Sequence, residues 1–212
     1  MRKVLFANGE YYHIYNRGLD KRVVFPKRED MDRFFQSIIT FNAVEPIGSI
    51  YEDIWNTKLG RKRRSPRLVD IICYCLNPNH FHLLLKQIKD GGISEFMRRI
   101  GGYTYYFNLK YKRSGPLYQG TFKSTHIASN GQLLHASAYV NLNNRVHRLG
   151  GSTSKSSWNE YIGRANDGIC EKGIILDQFA SKTEYREFAE SSLADILERK
   201  EKDRELEKML LE

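Results

Sequence analysis

The sequence lacks any apolar run of about 18 residues, the length a membrane-spanning helix requires, so no membrane span is expected. Cysteine is scarce. Cys73, Cys75 and Cys170 make neither an even set nor a Cys-x-x-Cys pair, which excludes a disulfide scaffold and reads as reduced core thiols of a cytoplasmic protein. The start, Met1-Arg2-Lys3-Val4-Leu5-Phe6, turns polar too soon for a secretory signal. There is no phosphate-binding loop of the kind that nucleotide-driven motors use, and no internal repeat.

What is present is an ordinary globular chain with an uneven charge. Its 212 residues are 41 % hydrophobic, enough for one domain with a substantial core and an appendage. The net charge is +9, and residues 181–212 hold ten acidic and seven basic residues, which leaves +12 on residues 1–180. That surplus favours a polyanionic partner, because each neutralised phosphate releases a counterion. Simple solubility would explain it equally well.

Residues 10–16, rich in aromatic and β-branched types, read as a first strand. Residues 27–43 carry Met31, Phe34, Phe35, Ile38, Ile39 and Phe41 at mostly helical spacing. Residues 44–67 read as a loop whose tip is Arg61-Lys62-Arg63-Arg64. Apolar runs at 68–76 and 80–87, parted by a Pro-containing turn, read as a β-hairpin. A second helix is expected over 93–112, a fourth strand over 121–128, and a third helix over 131–147, with Ser129 and Gln132 spaced as in a capping box. The order predicts an α+β, ferredoxin-like βαββαβ antiparallel sheet with two helices on one face. The tyrosine-bearing third helix should lie near the other, open face, which is free to carry a site. The expected division is residues 1–150 as the main folded unit, 151–182 as an irregular linker and 183–212 as a charged C-terminal helix.

The hairpin carries His80-Phe81-His82. Alternate strand residues share a face, so the two imidazoles stand together while Phe81 points into the core. Each neutral ring offers a lone pair, and two can grip one metal ion; two ordinary strand histidines would look the same. Tyr139 and Asn143, spaced i, i+4 on the third helix, offer a phenol beside an amide oxygen able to coordinate a cation. A core aromatic and a polar helix residue fit that spacing too. Together the four suit phosphodiester cleavage, in which a cation withdraws charge from a phosphate oxygen and a tyrosinate attacks phosphorus.

These residues resemble a family. Asn77-Pro78-Asn79-His80-Phe81-His82-Leu83-Leu84-Leu85 is similar to the Pro-Asn-His-x-His-Leu-Leu signature of the HUH single-tyrosine transposases, in particular the REP-associated tyrosine transposases. Three further segments match in order: Tyr12 to Gly18, the basic-aromatic turn Arg113 to Ser124, and Tyr139-Val140-Asn141-Leu142-Asn143. The likeness spans about residues 9–150. It departs at Asn144, where the family has proline, and at Phe81, where the family often has a smaller residue. The resemblance implies metal ligation by His80, His82 and Asn143, nucleophilic attack by Tyr139, and metal-dependent nicking and strand transfer of single-stranded or hairpin DNA. The attack would leave a covalent 5′-phosphotyrosine, as in DNA transposition. It implies Mg²⁺ or Mn²⁺; imidazole prefers Zn²⁺ or Mn²⁺ to Mg²⁺, but so open a site admits either ion, recruited with the DNA. It also implies a nucleoid-associated location, and a monomer or a homodimer.

Arg17, Arg113, Lys123, Tyr118 and the cluster Arg61, Lys62, Arg63 and Arg64 are candidates for holding DNA, and His13 for supporting the metal ligands from behind. Tyr103, Tyr105 and Tyr106 are rival nucleophiles, set aside because their helix should pack on the sheet face away from the histidines. His126, His135 and His147 read as structural or exposed. The rival functions are a replication-initiator-type nickase and a non-catalytic or domesticated nucleic-acid-binding protein of the same fold. An RNA-recognition module lacks support, since the Arg/Lys-Gly-Phe signature is missing.

Overall fold

The protein is described here by a computed structural model covering residues 5–59, 65–150, 153–165 and 168–209, with side chains through residue 202. The basic cluster Arg61 to Arg64 lies outside the described residues. In chain order the elements are β1 (Tyr11–Arg17), α1 (Arg28–Thr40), α2 (Ile50–Lys58), β2 (Val69–Asn77), β3 (His80–Gln87), α3 (Gly92–Ile100), α4 (Tyr103–Lys110), β4 (Lys123–Ile127) and α5 (Asn130–Asn141). The short α6 (Asn143–Val146), β5 (Lys155–Ser156), α7 (Trp158–Tyr161) and α8 (Gly173–Leu176) follow, and then the long α9 (Lys182–Met209).

The sheet is antiparallel, with strand order β4-β1-β3-β2-β5, so the expected ferredoxin-like βαββαβ arrangement is present with a short fifth strand added at the β2 edge. Alternation sorts the strands between two cores. Tyr12, Ile14, Phe81, Leu83 and Leu85 face α1, α3 and α4, joined by Phe34, Phe96 and Tyr103. Cys73, Cys75 and Leu84 face α5, α7, α8 and α9, joined by Leu133, Trp158, Tyr161 and Tyr185.

The second face is therefore covered where the sequence reading left it open. The cause is legible in β2, which is apolar almost without alternation, as strands buried on both faces are. Tyr185 of α9 anchors that cover: Asn141 donates to its hydroxyl (2.9 Å), which also pairs with Ser137 (3.1 Å). The site occupies the end of this face, beside the hairpin turn.

Three expected elements differ in detail. The single helix over 93–112 is two, broken at Gly101-Gly102, where glycine is a poor helix former and bonds tighten to the i to i−3 type. The helix over 131–147 breaks at Leu142, within Asn141-Leu142-Asn143-Asn144. At the break the Asn141 side chain is held from outside the helix, donating to Tyr185 and accepting from Ser157. Residues 50–58, read as loop, form α2, capped by Ser49, whose hydroxyl accepts from Glu52 N–H (3.1 Å).

Candidate active site

Two residues, Pro78 and Asn79, turn β2 into β3 and place Asn77 opposite His80 in the ladder. The loop after β1 holds that turn from outside. Val24 and Phe25 N–H donate to the Pro78 carbonyl (2.7 and 2.9 Å), and Gly18 N–H donates to the Asn79 carbonyl (2.8 Å). Gly18 is required there, since a Cβ would stand 2.1 Å from the Arg22 carbonyl oxygen.

This rigid turn fixes the first imidazole. His80 Nδ1 lies 2.6 Å from Asn79 Oδ1, an acceptor only, so Nδ1 carries the proton and Nε2 keeps its lone pair. Asn77 Nδ2 donates one hydrogen to that Nε2 (2.9 Å) and the other to Asn143 Oδ1 (2.8 Å). The two acceptors, His80 Nε2 and Asn143 Oδ1, stand 3.0 Å apart. Asn77 and Asn143 are fully buried, and Asn143 Nδ2 is buried without an acceptor in hydrogen-bond geometry.

His82 sits two residues along the same strand face, its ring perpendicular to that of His80 with centroids 5.2 Å apart. Its Nδ1 meets His13 Nε2 at 2.8 Å. When His82 donates and His13 accepts, His82 Nε2 is free to bind a cation, the usual second-partner arrangement of a metal-ligating histidine. Tyr139 on α5 lies edge-on to His82 (5.5 Å between centroids) and to His13 (5.8 Å). Tyr15 stacks on His82 at 5.6 Å.

Burial sets the protonation. It pushes His82 well below the ordinary imidazole value, helped by His13, His80 and His147. Burial likewise takes His13 to about 4 and lowers His80, where the Asn143 contact works the other way. All three shifts favour the neutral ring, the form an imidazole needs in order to offer a lone pair. Burial raises the Tyr139 phenol, with Asn143 acting in the opposite direction.

These groups open onto a cavity of about 340 Å³ lined by Tyr15, Arg17, His80, His82, Lys123 and Tyr139, with His147 and Lys200. Arg17 Nε is buried without an acceptor, a donor available to an anion. Of the residues singled out in the sequence, His80, His82, Tyr139, Asn143, His13, Arg17 and Lys123 are brought together here. Arg113 is not; it covers the Phe107 ring at 5.7 Å. Tyr118 stands on the other side of β3, edge-on to Phe81 at 5.7 Å. Among the rival nucleophiles, Tyr103 is buried in the first core and donates to Val24 O (2.8 Å), while Tyr105 is exposed on α4.

Asn77, Tyr15, Lys200 and His147 were not singled out for the site. His147, read as structural or exposed, packs against His80 with centroids 4.6 Å apart and is lowered to about 4, mainly by burial. The break at Leu142 carries it there. Asn77 was visible in the turn motif, but its role needs the spatial meeting with Asn143.

Among the described residues no group of three or more His, Cys, Asp or Glu side chains is arranged to hold a metal. The donors this site presents are the two strand imidazoles and the Asn143 amide, a set that would suit an open, oxygen-completed divalent ion. No protein-family model and no curated protein sequence matches the chain. A solved structure does match: a REP-associated tyrosine transposase bound to a REP hairpin, with a TM-score of 0.52 and 14 % identity over 77 % of this chain and 86 % of that one. The chain has the fold of that transposase. No helix among the described residues is long and apolar enough to cross a membrane.

Proposed function

We propose that this protein nicks and rejoins single-stranded or hairpin DNA through a covalent phosphotyrosine, as a transposase of the HUH single-tyrosine type. The observation that carries the reading is the convergence of the Tyr139 phenol and the two strand imidazoles on one cavity edged by Arg17 and Lys123, with the buried Asn143 amide oxygen 3.0 Å behind His80 Nε2. The shared fold and the four ordered sequence segments support the same reading from separate directions.

In this reading Arg17 and Lys123 hold the phosphodiester in the cavity, where Arg17 Nε gains the acceptor it lacks. His80, His82 and Asn143 would hold Mg²⁺ or Mn²⁺, which supplies positive charge beside a non-bridging phosphate oxygen. Asn79 keeps the His80 proton on Nδ1 and His13 keeps that of His82 on Nδ1, while Asn77, whose amide hydrogen occupies the single His80 Nε2 lone pair in this structure, would have to turn away for a cation to bind there. Tyr139 Oη, its proton lost, attacks phosphorus. A Tyr139 O–P bond forms, the P–O3′ bond breaks, and the 3′-oxygen leaves and takes up a proton. The phosphoester bond is exchanged rather than hydrolysed, so a 3′-hydroxyl can reverse the step and join strands.

The cavity has the size of a small-molecule site, with room for a phosphodiester and its sugars and not for a duplex. The test is incubation with labelled single-stranded DNA from the flanks of the gene. A covalent adduct that needs Mn²⁺ or Mg²⁺ and disappears on chelation is expected. Tight binding with no adduct under any divalent ion would instead favour a non-catalytic DNA-binding protein.

A further inference from the structure

A second cavity, of about 210 Å³, lies across the sheet from the first. Phe34, Phe81, Tyr118 and Phe122 wall it, with Thr104 and Asn16 as polar elements. Gly101 and Gly120 also line it, so the glycine break between α3 and α4 leaves the space unfilled.

Two observations separate it from a packing defect. The Tyr118 hydroxyl is buried and has no hydrogen-bond partner, and an uncompensated buried hydroxyl is costly unless something satisfies it. Asn16 borders both cavities, and the adjacent residues Gln119 and Gly120 line one each. A strand whose phosphate lies at Arg17 and Lys123 thus has the Gln119-Gly120 segment, paired with the end of β1, between it and the second cavity.

We propose that this cavity is a nucleobase pocket: one base next to the cleaved phosphate turns around Gln119-Gly120, lies among Phe81, Tyr118 and Phe122, and pairs its polar edge with the Tyr118 hydroxyl. The inference rests on the DNA-nicking reading above. Its chemistry is that of an unstacked base, since aromatic walls accept any π-face and one buried hydroxyl reads an edge. Tyr118 acts in binding, at a distance from the reacting atoms.

The test uses the full-length protein and the same flanking single-stranded DNA, with an abasic site placed at each nucleotide around the cleaved phosphate in turn. One abasic position should weaken wild-type binding by about tenfold or more, the loss expected for a stacked base. That penalty should shrink in Tyr118→Phe, which keeps the ring, and fall to about twofold in Thr104→Phe, which fills the space. Without DNA, Tyr118→Phe should melt no lower than wild type, because the hydroxyl it removes has no partner to lose. A Tyr118→Phe variant that melts clearly lower, an even response to every abasic position, or an equal penalty in wild type and both variants would overturn the pocket. If wild type forms the covalent adduct while any of these holds, only the pocket falls. If wild type neither binds nor forms the adduct, the nicking reading falls and takes the pocket with it.

Discussion

Replacing Asn143 with alanine separates the site's chemistry from its stability. The amide is fully buried, accepts from Asn77 Nδ2 at 2.8 Å and stands 3.0 Å from His80 Nε2. Removing it strands one hydrogen of a buried Asn77 amide, at a cost of about 1–3 kcal/mol, while the other hydrogen keeps its bond to His80. For a chain of this length each kcal/mol moves the melting point by about 2–4 °C, so a fall of about 2–12 °C is expected by circular dichroism. The chemical loss should be larger. Disturbing a group behind a metal ligand already costs about 10–100-fold, so loss of a direct ligand should slow adduct formation at least about 100-fold at a temperature where the variant is folded. A folded Asn143→Ala variant that forms the adduct within about threefold of the wild-type rate would refute the ligand role.

His13→Phe preserves a ring between Tyr15 and Tyr139 but removes the acceptor for His82 Nδ1; divalent-ion affinity in the presence of DNA should fall about 10–100-fold, with excess metal restoring adduct formation, and an unchanged metal titration would count against it. His13 and His147 sit near 4 in the folded chain against an ordinary 6.5, so the unfolded chain takes up protons first; stability is full above about pH 6.5 and falls as the pH drops toward 4. The His13 share is about 2 kcal/mol at pH 5, so the urea midpoint should drop between pH 7 and pH 5 and drop less in His13→Phe. Gly18→Ala forces a Cβ to 2.1 Å from the Arg22 carbonyl and should dislodge the loop that grips Asn79, lowering both melting point and adduct yield; a neutral result would show that the loop yields without moving the turn.

The hairpin was legible because apolar runs, a proline turn and strand parity all agree across residues 68–87, and the structure places β2 and β3 within a residue of that reading. The pairing of Tyr139 with Asn143 was legible as helical spacing, although the chain reaches it through a break at Leu142. That break was not legible, and with it went His147, whose position depends on which way α6 turns. Ser49 three residues before Glu52 is a cap signature, but α2 shows too little apolar periodicity to stand out, with Tyr51 and Trp55 exposed. The second core eluded the sequence because Trp158, Tyr161 and Ile175 come from short turns with no period to read. The unbroken apolar character of β2 was the one signal that something covered that face.

The central claim is that Tyr139 and no other residue takes up the DNA. After trapping with flanking single-stranded DNA and Mn²⁺, nuclease and trypsin digestion leave a nucleotide on one peptide, and mass spectrometry reads which. The peptide Ser124 to Arg145 holds Tyr139 as its only tyrosine. A nucleotide mass on that peptide, absent in Tyr139→Phe, is the predicted result. The same mass on a peptide carrying Tyr103, Tyr105 or Tyr106, or an adduct that survives in Tyr139→Phe, would contradict it.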